Sequence, residues 1–136
     1  MSLRILVADD HDANRRALVD LLVRFGCRTV EAADGSIALR FLMESPFDLS
    51  LLDLHMPSLT GLQVLSQLRS AGVEVPSILM TGRPSSEVER AALEVGALTM
   101  LRKPIAAAIL RAALEQIRER PSDPEPPPGW GGPAPA

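Results

Sequence analysis

Five polar residues stand just beyond the places where apolar sequence stops. Asp9 and Asp10 follow the run 5–8, Asp53 follows 49–52, Thr81 follows 78–80, and Lys103 comes shortly after 98–101. Brought to one place, they amount to three carboxylates, a hydroxyl and an ammonium. Three crowded carboxylates repel one another, which is costly unless a cation sits among them. With no His or Cys ligand set alongside, such oxygen donors suit a hard cation, Mg2+ most naturally. Each residue also has an ordinary reading. Asp commonly ends strands and caps helices, a strand-end Thr often does nothing, and a lone Lys is normally a solvated surface charge. Asp53 is harder to dismiss, because a buried strand that ends in a charge wants a partner.

Lys103 is the sole Lys among 14 basic residues. The Arg bias reads as the base composition of a genome. It still marks Lys103, because Lys and Arg are not interchangeable where a compact ammonium is needed.

The elements that must position these residues alternate along the chain. The apolar runs 5–8, 49–52, 78–80 and 98–101, and a weaker one at 28–32, are continuous rather than alternating, as in strands buried on both faces of a parallel sheet. Helical spacing lies between them. Asp12 is the expected N-cap of a helix carrying Ala17, Leu18, Leu21, Leu22 and Phe25, stopped by Gly26. Ile37, Ala38, Phe41 and Leu42 repeat the spacing after Gly35, and Leu62, Leu65 and Leu68 repeat it before Gly72. Ser85 or Ser86 caps a helix through Ala91, Ala92 and Val95 that closes at Gly96. Pro104 marks the start of the last helix, with Ile105, Ile109, Ala113 and Ile117 as its apolar stripe. The β-α unit occurs five times, which predicts an α/β fold: an open parallel sheet with helices on both faces and right-handed crossovers. In such sheets ligands bind beyond the carboxyl ends of the strands, at the point where strand order reverses. That edge is where the five polar residues lie.

Composition narrows the function classes. The chain of 136 residues suits one domain, and 46 % hydrophobic content supplies a core. A net charge of −3 argues against a protein that reads a phosphate backbone, so no direct nucleic-acid contact is expected. No apolar run is long enough to span a bilayer, and the N-terminus lacks the form of a secretory signal. The single Cys27 excludes an intramolecular disulfide and fits a reducing cytoplasm. Residues 121–136 hold seven of the 12 prolines and three of the nine glycines, so this stretch is expected to be a disordered tail or linker after a folded unit at 1–120.

Together and in this order, these features resemble the receiver domain of two-component response regulators, over about residues 3–119. The resemblance rests on Asp9-Asp10, on Asp53-Leu54-His55-Met56-Pro57, on Thr81-Gly82, on Gly96-Ala97 and on Lys103-Pro104, with 22 residues from Thr81 to Lys103. It implies a doubly wound five-stranded sheet of flavodoxin-like order 2-1-3-4-5. It implies that Asp53 accepts a phosphoryl group from a phosphohistidine on a sensor histidine kinase or histidine phosphotransfer protein. Asp10 and Asp53 would ligate Mg2+ directly, Asp9 through water, and His55 through its backbone carbonyl. Lys103 would pair with one phosphoryl oxygen and Thr81 would donate its hydroxyl to another. Activation would shift the face made by the fourth helix, the fifth strand and the last helix.

One position departs from the family. Met100 stands where the aromatic switch residue is expected, so it would have to follow Thr81 in the aromatic's place. His55 and Arg83 would rim the acyl phosphate and tune its lifetime, and each also reads as a solvated loop residue. His11 shares that ambiguity. The resemblance implies a switch rather than a turnover enzyme. Two other classes compete: a phosphorylation-independent interaction module, suggested by Met100, and an Asp-nucleophile phosphohydrolase. The latter is disfavoured because His55 stands where a D-x-D motif needs Asp, and no residues are left for a cap domain. With no output domain after residue 120, the expectation is a stand-alone receiver or one excised from a larger regulator or hybrid kinase. The downstream partner is not written in the sequence. A homodimer is expected through the activation face, with Ala106, Ala107, Ala108 and Ala112 as a smooth surface and Arg90, Arg102 and Arg111 facing Glu87 or Glu94.

Overall fold

A computed structural model of the protein describes residues 2–120; the Pro- and Gly-rich segment at 121–136 lies outside them. Five strands and five helices alternate as β1 (Arg4–Ala8), α1 (Asp12–Arg24), β2 (Arg28–Ala32), α2 (Gly35–Glu44), β3 (Leu49–Asp53), α3 (Gly61–Ser70), β4 (Ser77–Thr81), α4 (Ser86–Glu94), β5 (Thr99–Arg102) and α5 (Ala107–Glu119). The strands form one sheet of order β2-β1-β3-β4-β5, parallel throughout. This is the doubly wound order that the resemblance implies.

The continuous apolar runs are explained by burial on both faces. Every residue of β3 and of β4 is buried, and alternate side chains enter different cores. Leu6, Ala8, Leu52 and Leu79 pack against Ala38 and Leu42 of α2, Val64, Leu65 and Leu68 of α3, and Ala92 of α4. Ile5, Val7, Leu49, Leu51, Ile78 and Met80 pack on the opposite side against Leu22 of α1 and Leu110, Leu114 and Ile117 of α5. Strand order reverses between β1 and β3, so the crevice that parallel sheets use for ligands opens beyond Ala8 and Asp53. No helix among the described residues is long and apolar enough to cross a membrane.

Local signals end the helices much as expected, with three corrections. Asp12 is not the N-cap of α1: His11 holds that position without a side-chain cap bond, and the Asp12 carboxylate accepts from Arg15 Nη2 at 2.8 Å. Competition from a guanidinium three residues on takes the carboxylate away from the helix end. Pro104 does not start α5, which begins at Ala107, after a cis Lys103–Pro104 peptide. The stripe of α5 is also misaligned, since Ile109 is 50 % exposed while Leu110, Leu114 and Ile117 are buried. A strict four-residue step drifts about 40° per step around a helix of about 3.6 residues per turn, whereas the 110-114-117 spacing stays over the core. Elsewhere Ser85 caps α4 as expected, Asp34 caps α2, and Thr60 forms a capping box with Gln63 at α3.

Two close approaches lock the segment that follows Asp53. A Cβ on Gly61 would lie 2.6 Å from the Asp53 carbonyl oxygen, and one on Gly35 would lie 2.0 Å from that of Leu59. The start of α3 thus abuts the end of β3, and the start of α2 abuts the loop between them. Gly35→Ala is expected to cost about 1–3 kcal/mol, because it must push backbone rather than a flexible side chain. Urea unfolding of the variant against wild type measures this, as a lower midpoint.

Candidate functional site

The carboxyl ends of β1, β3, β4 and β5 bring together every residue that chemistry singled out. Asp9 directly follows β1 and is buried; Asp10, next along, is exposed; Asp53 is the last residue of β3 and is buried. Carboxylate oxygens of all three lie within 4.8 Å of one another. Lys103, just past β5, extends its ammonium between two of them, with Nζ 2.8 Å from Asp9 Oδ2 and 3.2 Å from Asp53 Oδ2. Its backbone N–H donates to the Thr81 carbonyl at 2.8 Å, which continues the β4–β5 ladder and aims the side chain at the crevice.

Backbone donors hold the acids in place. The Asp9 N–H donates to the Ala32 carbonyl at 3.1 Å, and Asp9 Oδ1 accepts from the His11 N–H at 2.8 Å. Asp53 Oδ1 accepts a longer bond, 3.4 Å, from the His55 N–H. Thr81 is fully buried, and its hydroxyl oxygen accepts from the Arg83 N–H at 3.1 Å. Met100 is half-buried, paired in register with Leu79, and it joins the α2–α3–α4 core on the face of the sheet that Thr81 shares. His55 and Arg83 are exposed at the rim, as is His11.

The electrostatics follow from this packing. Burial pushes the Asp53 carboxyl above the ordinary Asp range and the charge of Asp9 pushes it further, while Lys103 and the His55 N–H pull it back only in part. Burial opposes the charge on Lys103, but its bonds to Asp9 and Asp53 outweigh that and raise its pKa. Three carboxylates against one ammonium leave negative charge unbalanced within a few ångströms, and every donor is oxygen. That charge balance and donor chemistry fit a hard divalent cation.

Arg111 lies over the Phe25 ring, 4.9 Å from its centroid, on the α1 side rather than towards α4. Within one chain Arg90, Arg102, Glu87 and Glu94 form no ion pair among the described residues; the pairing expected across a homodimer concerns a second copy. One contributor carries little mark in the sequence. Arg15, only 8 % exposed, donates from Nη1 to the Asp9 carbonyl at 2.8 Å. Its place in the first turn of α1 gives a sequence signal only through Asp12, three residues earlier.

Comparison with known proteins bears on this arrangement. The sequence profile of the response regulator receiver domain matches residues 5–115. The chain is 34 % identical over 116 residues to the sensor histidine kinase RcsC of Salmonella typhimurium, covering 85 % of this chain and 12 % of that protein. It is 41 % identical over 121 residues to the response regulator MprA of Mycobacterium ulcerans, covering 88 % of this chain and 52 % of that protein. The chain thus spans only part of the relatives it matches. Among solved structures, the receiver domain of a sensor histidine kinase from Pseudomonas aeruginosa superposes with a TM-score of 0.77 at 27 % identity, over 85 % of this chain and 97 % of that one. A magnesium ion is coordinated in its active site cleft.

The raised Asp53 pKa carries a sign for stability. Folding favours the protonated carboxyl, so the ionised form subtracts stability at neutral pH, and the loss disappears as pH falls through the carboxylate range. Lys103 works in the opposite sense: its contribution is complete at neutral pH and is lost only as pH rises beyond the ordinary Lys range. Asp53→Asn, which leaves Lys103 paired with Asp9, is therefore expected to be more stable than wild type at pH 7 in EDTA. The gap should shrink towards pH 4, as read by urea unfolding at both pH values.

Proposed function

Because the chain belongs to the response regulator receiver domain family, we propose that it is a phosphorylation-controlled signalling switch whose phospho-acceptor is Asp53. The observation that carries this reading is the Lys103 ammonium lodged between Asp9 and Asp53 at the end of the sheet. A carboxylate is a competent nucleophile towards phosphorus. An Asp53 oxygen attacks the phosphorus of a phosphohistidine on a sensor histidine kinase or histidine phosphotransfer protein. The new O–P bond forms as the P–N bond breaks, and the imidazole leaves with the electron pair. Little covalent chemistry is asked of the protein, so positioning and charge neutralisation dominate.

Asp9, Asp10, Asp53 and the His55 backbone carbonyl are the residues that would hold Mg2+. Bound there, it would supply positive charge to offset the carboxylates and the phosphoryl oxygens. Lys103 already points its charge at the acceptor oxygen and is available to one phosphoryl oxygen as a point charge. The Thr81 hydroxyl, which accepts from Arg83, can donate to another when it turns inward. Met100 lies on the same face, with room to adjust because its side chain is flexible. Through these two residues the phosphoryl group is read out on the α4-β5-α5 face, which serves the downstream partner or a homodimer. The reaction is a single self-catalysed transfer followed by hydrolysis, not turnover of a free substrate. The setting is the cytoplasm, where the phosphohistidine donors lie.

Incubation with Mg2+ and acetyl phosphate, followed by intact mass, should give one phosphoryl adduct on wild type and none on Asp53→Asn. An unmodified wild type would overturn the proposal. Lys103→Arg should keep the fold and Mg2+ binding but impair the response to beryllofluoride, read as methyl NMR shifts at Met100. A forked guanidinium is too large for a pocket shaped around a compact ammonium. His55→Ala or Arg83→Ala should change the decay rate of the phosphorylated protein.

A further inference from the structure

We infer that Arg15 is a positioning residue for the Mg2+ site: it fixes the peptide that joins Asp9 to Asp10 and so sets the direction in which Asp10 departs from the already anchored Asp9. This rests on the reading of the acid cluster as a Mg2+ and phosphoryl site. The guanidinium is buried in the first turn of α1 and uses its three nitrogens in three directions. Nη1 donates to the Asp9 carbonyl at 2.8 Å, Nη2 to Asp12 Oδ1 at 2.8 Å, and Nε to Glu31 Oε1 at 3.0 Å. The Asp9 carbonyl belongs to the planar unit whose other end is the Asp10 nitrogen. Holding that oxygen therefore fixes the plane from which Asp10 departs.

The rest of Asp9 is already held. Its N–H is bonded to Ala32 of β2, one carboxylate oxygen to the His11 N–H, and the other to Lys103. Arg15 supplies the remaining constraint, and it spans from α1 to β2 to do so. Without it, a buried carbonyl would lose its protein donor, which is costly in itself and frees the peptide to rotate. The two anions that grip the guanidinium are the more exposed partners, with side chains 77 % exposed for Asp12 and 42 % for Glu31. They anchor it at the rim and balance its charge, so that it orients Asp9 without competing as a counter-ion for the cluster. Only a planar fork makes three such bonds at once; a Lys at this position has one nitrogen to place.

The test uses the full chain with Arg15→Lys and Glu31→Ala. Mg2+ affinity is read by amide NMR titration, stability by urea unfolding in EDTA, and acetyl phosphate labelling as a function of Mg2+ concentration. Arg15→Lys should bind Mg2+ about tenfold more weakly, in line with the roughly 10–100-fold effects of residues that orient metal ligands. The Mg2+ concentration for half-maximal labelling should rise by the same factor, with the rate at saturating Mg2+ largely restored. Glu31→Ala, which removes an anchor at the exposed end, should give a smaller shift of the same kind. Loss of stability with unchanged Mg2+ affinity in the folded variant would overturn the proposal and leave Arg15 a packing residue. If Arg15→Lys does not fold, Glu31→Ala decides the matter, and unchanged affinity there overturns the proposal. A wild type that binds Mg2+ but takes no phosphoryl group overturns the switch reading alone, since Arg15 is still judged on the Mg2+ constants. A wild type that binds no Mg2+ overturns both.

Discussion

Three carboxylates share a space a few ångströms across at the edge of the sheet, with one ammonium to offset them. Much of the remaining structure can be understood as making that concentration of charge tolerable. Two of the acids are buried, and that burial, with the nearby charge of Asp9 adding to it, holds the Asp53 carboxyl above its ordinary range. A folded protein keeps such a feature only where the surroundings over-determine it. Here those surroundings are two central strands buried along their whole length, with cores on both faces. An unbalanced site of this kind gains from the arrival of positive charge.

The framing combines close backbone approaches with one long side chain that reaches in. Gly61 lets α3 begin against the Asp53 carbonyl, and Gly35 lets α2 begin against the loop beyond it. Asp34 adds a polar tie there: it caps α2 through Ile37 and accepts from the hydroxyl of Ser58, whose backbone has φ of 65°. On the other side of the crevice, Arg15 ties α1 and β2 to the Asp9 carbonyl. Among the described residues every buried side-chain polar atom has a partner, so the strain of the site is concentrated in charge rather than in missing hydrogen bonds.

The parts of the fold that are legible in the sequence are those specified by local chemistry. Continuous runs of Ile, Leu and Val mark strands that need burial on two sides, and Gly26, Gly72 and Gly96 end their helices with positive φ. The site residues are legible because each polar residue follows an apolar run, in an order and spacing that resemble one family. What the sequence misplaces involves competition between side chains and the packing of whole elements. Asp12 has the right type for a cap, but Arg15 claims its carboxylate. Ile109 fits an apolar spacing, but the angle at which α5 lies on the sheet selects Leu110 and Leu114. Arg15 itself resembles any other basic residue of an amphipathic helix until β2 is placed beside it.

The chain alone specifies which chemical groups exist and on which kind of element each one sits: acids, a hydroxyl and a single ammonium at the ends of apolar strands, separated by amphipathic helices. That much follows from hydrophobic periodicity and side-chain chemistry, which are local properties. Only the tertiary structure decides that these groups converge, because convergence depends on the strand order β2-β1-β3-β4-β5 and on parallel register between segments far apart in the chain. It also decides how the charges are apportioned, since the pairing of Lys103 with Asp9 as well as Asp53, and the hold of Arg15 on a backbone carbonyl, are matters of distance and burial. Electrostatic interactions depend on both, and neither can be read from residue types along a line.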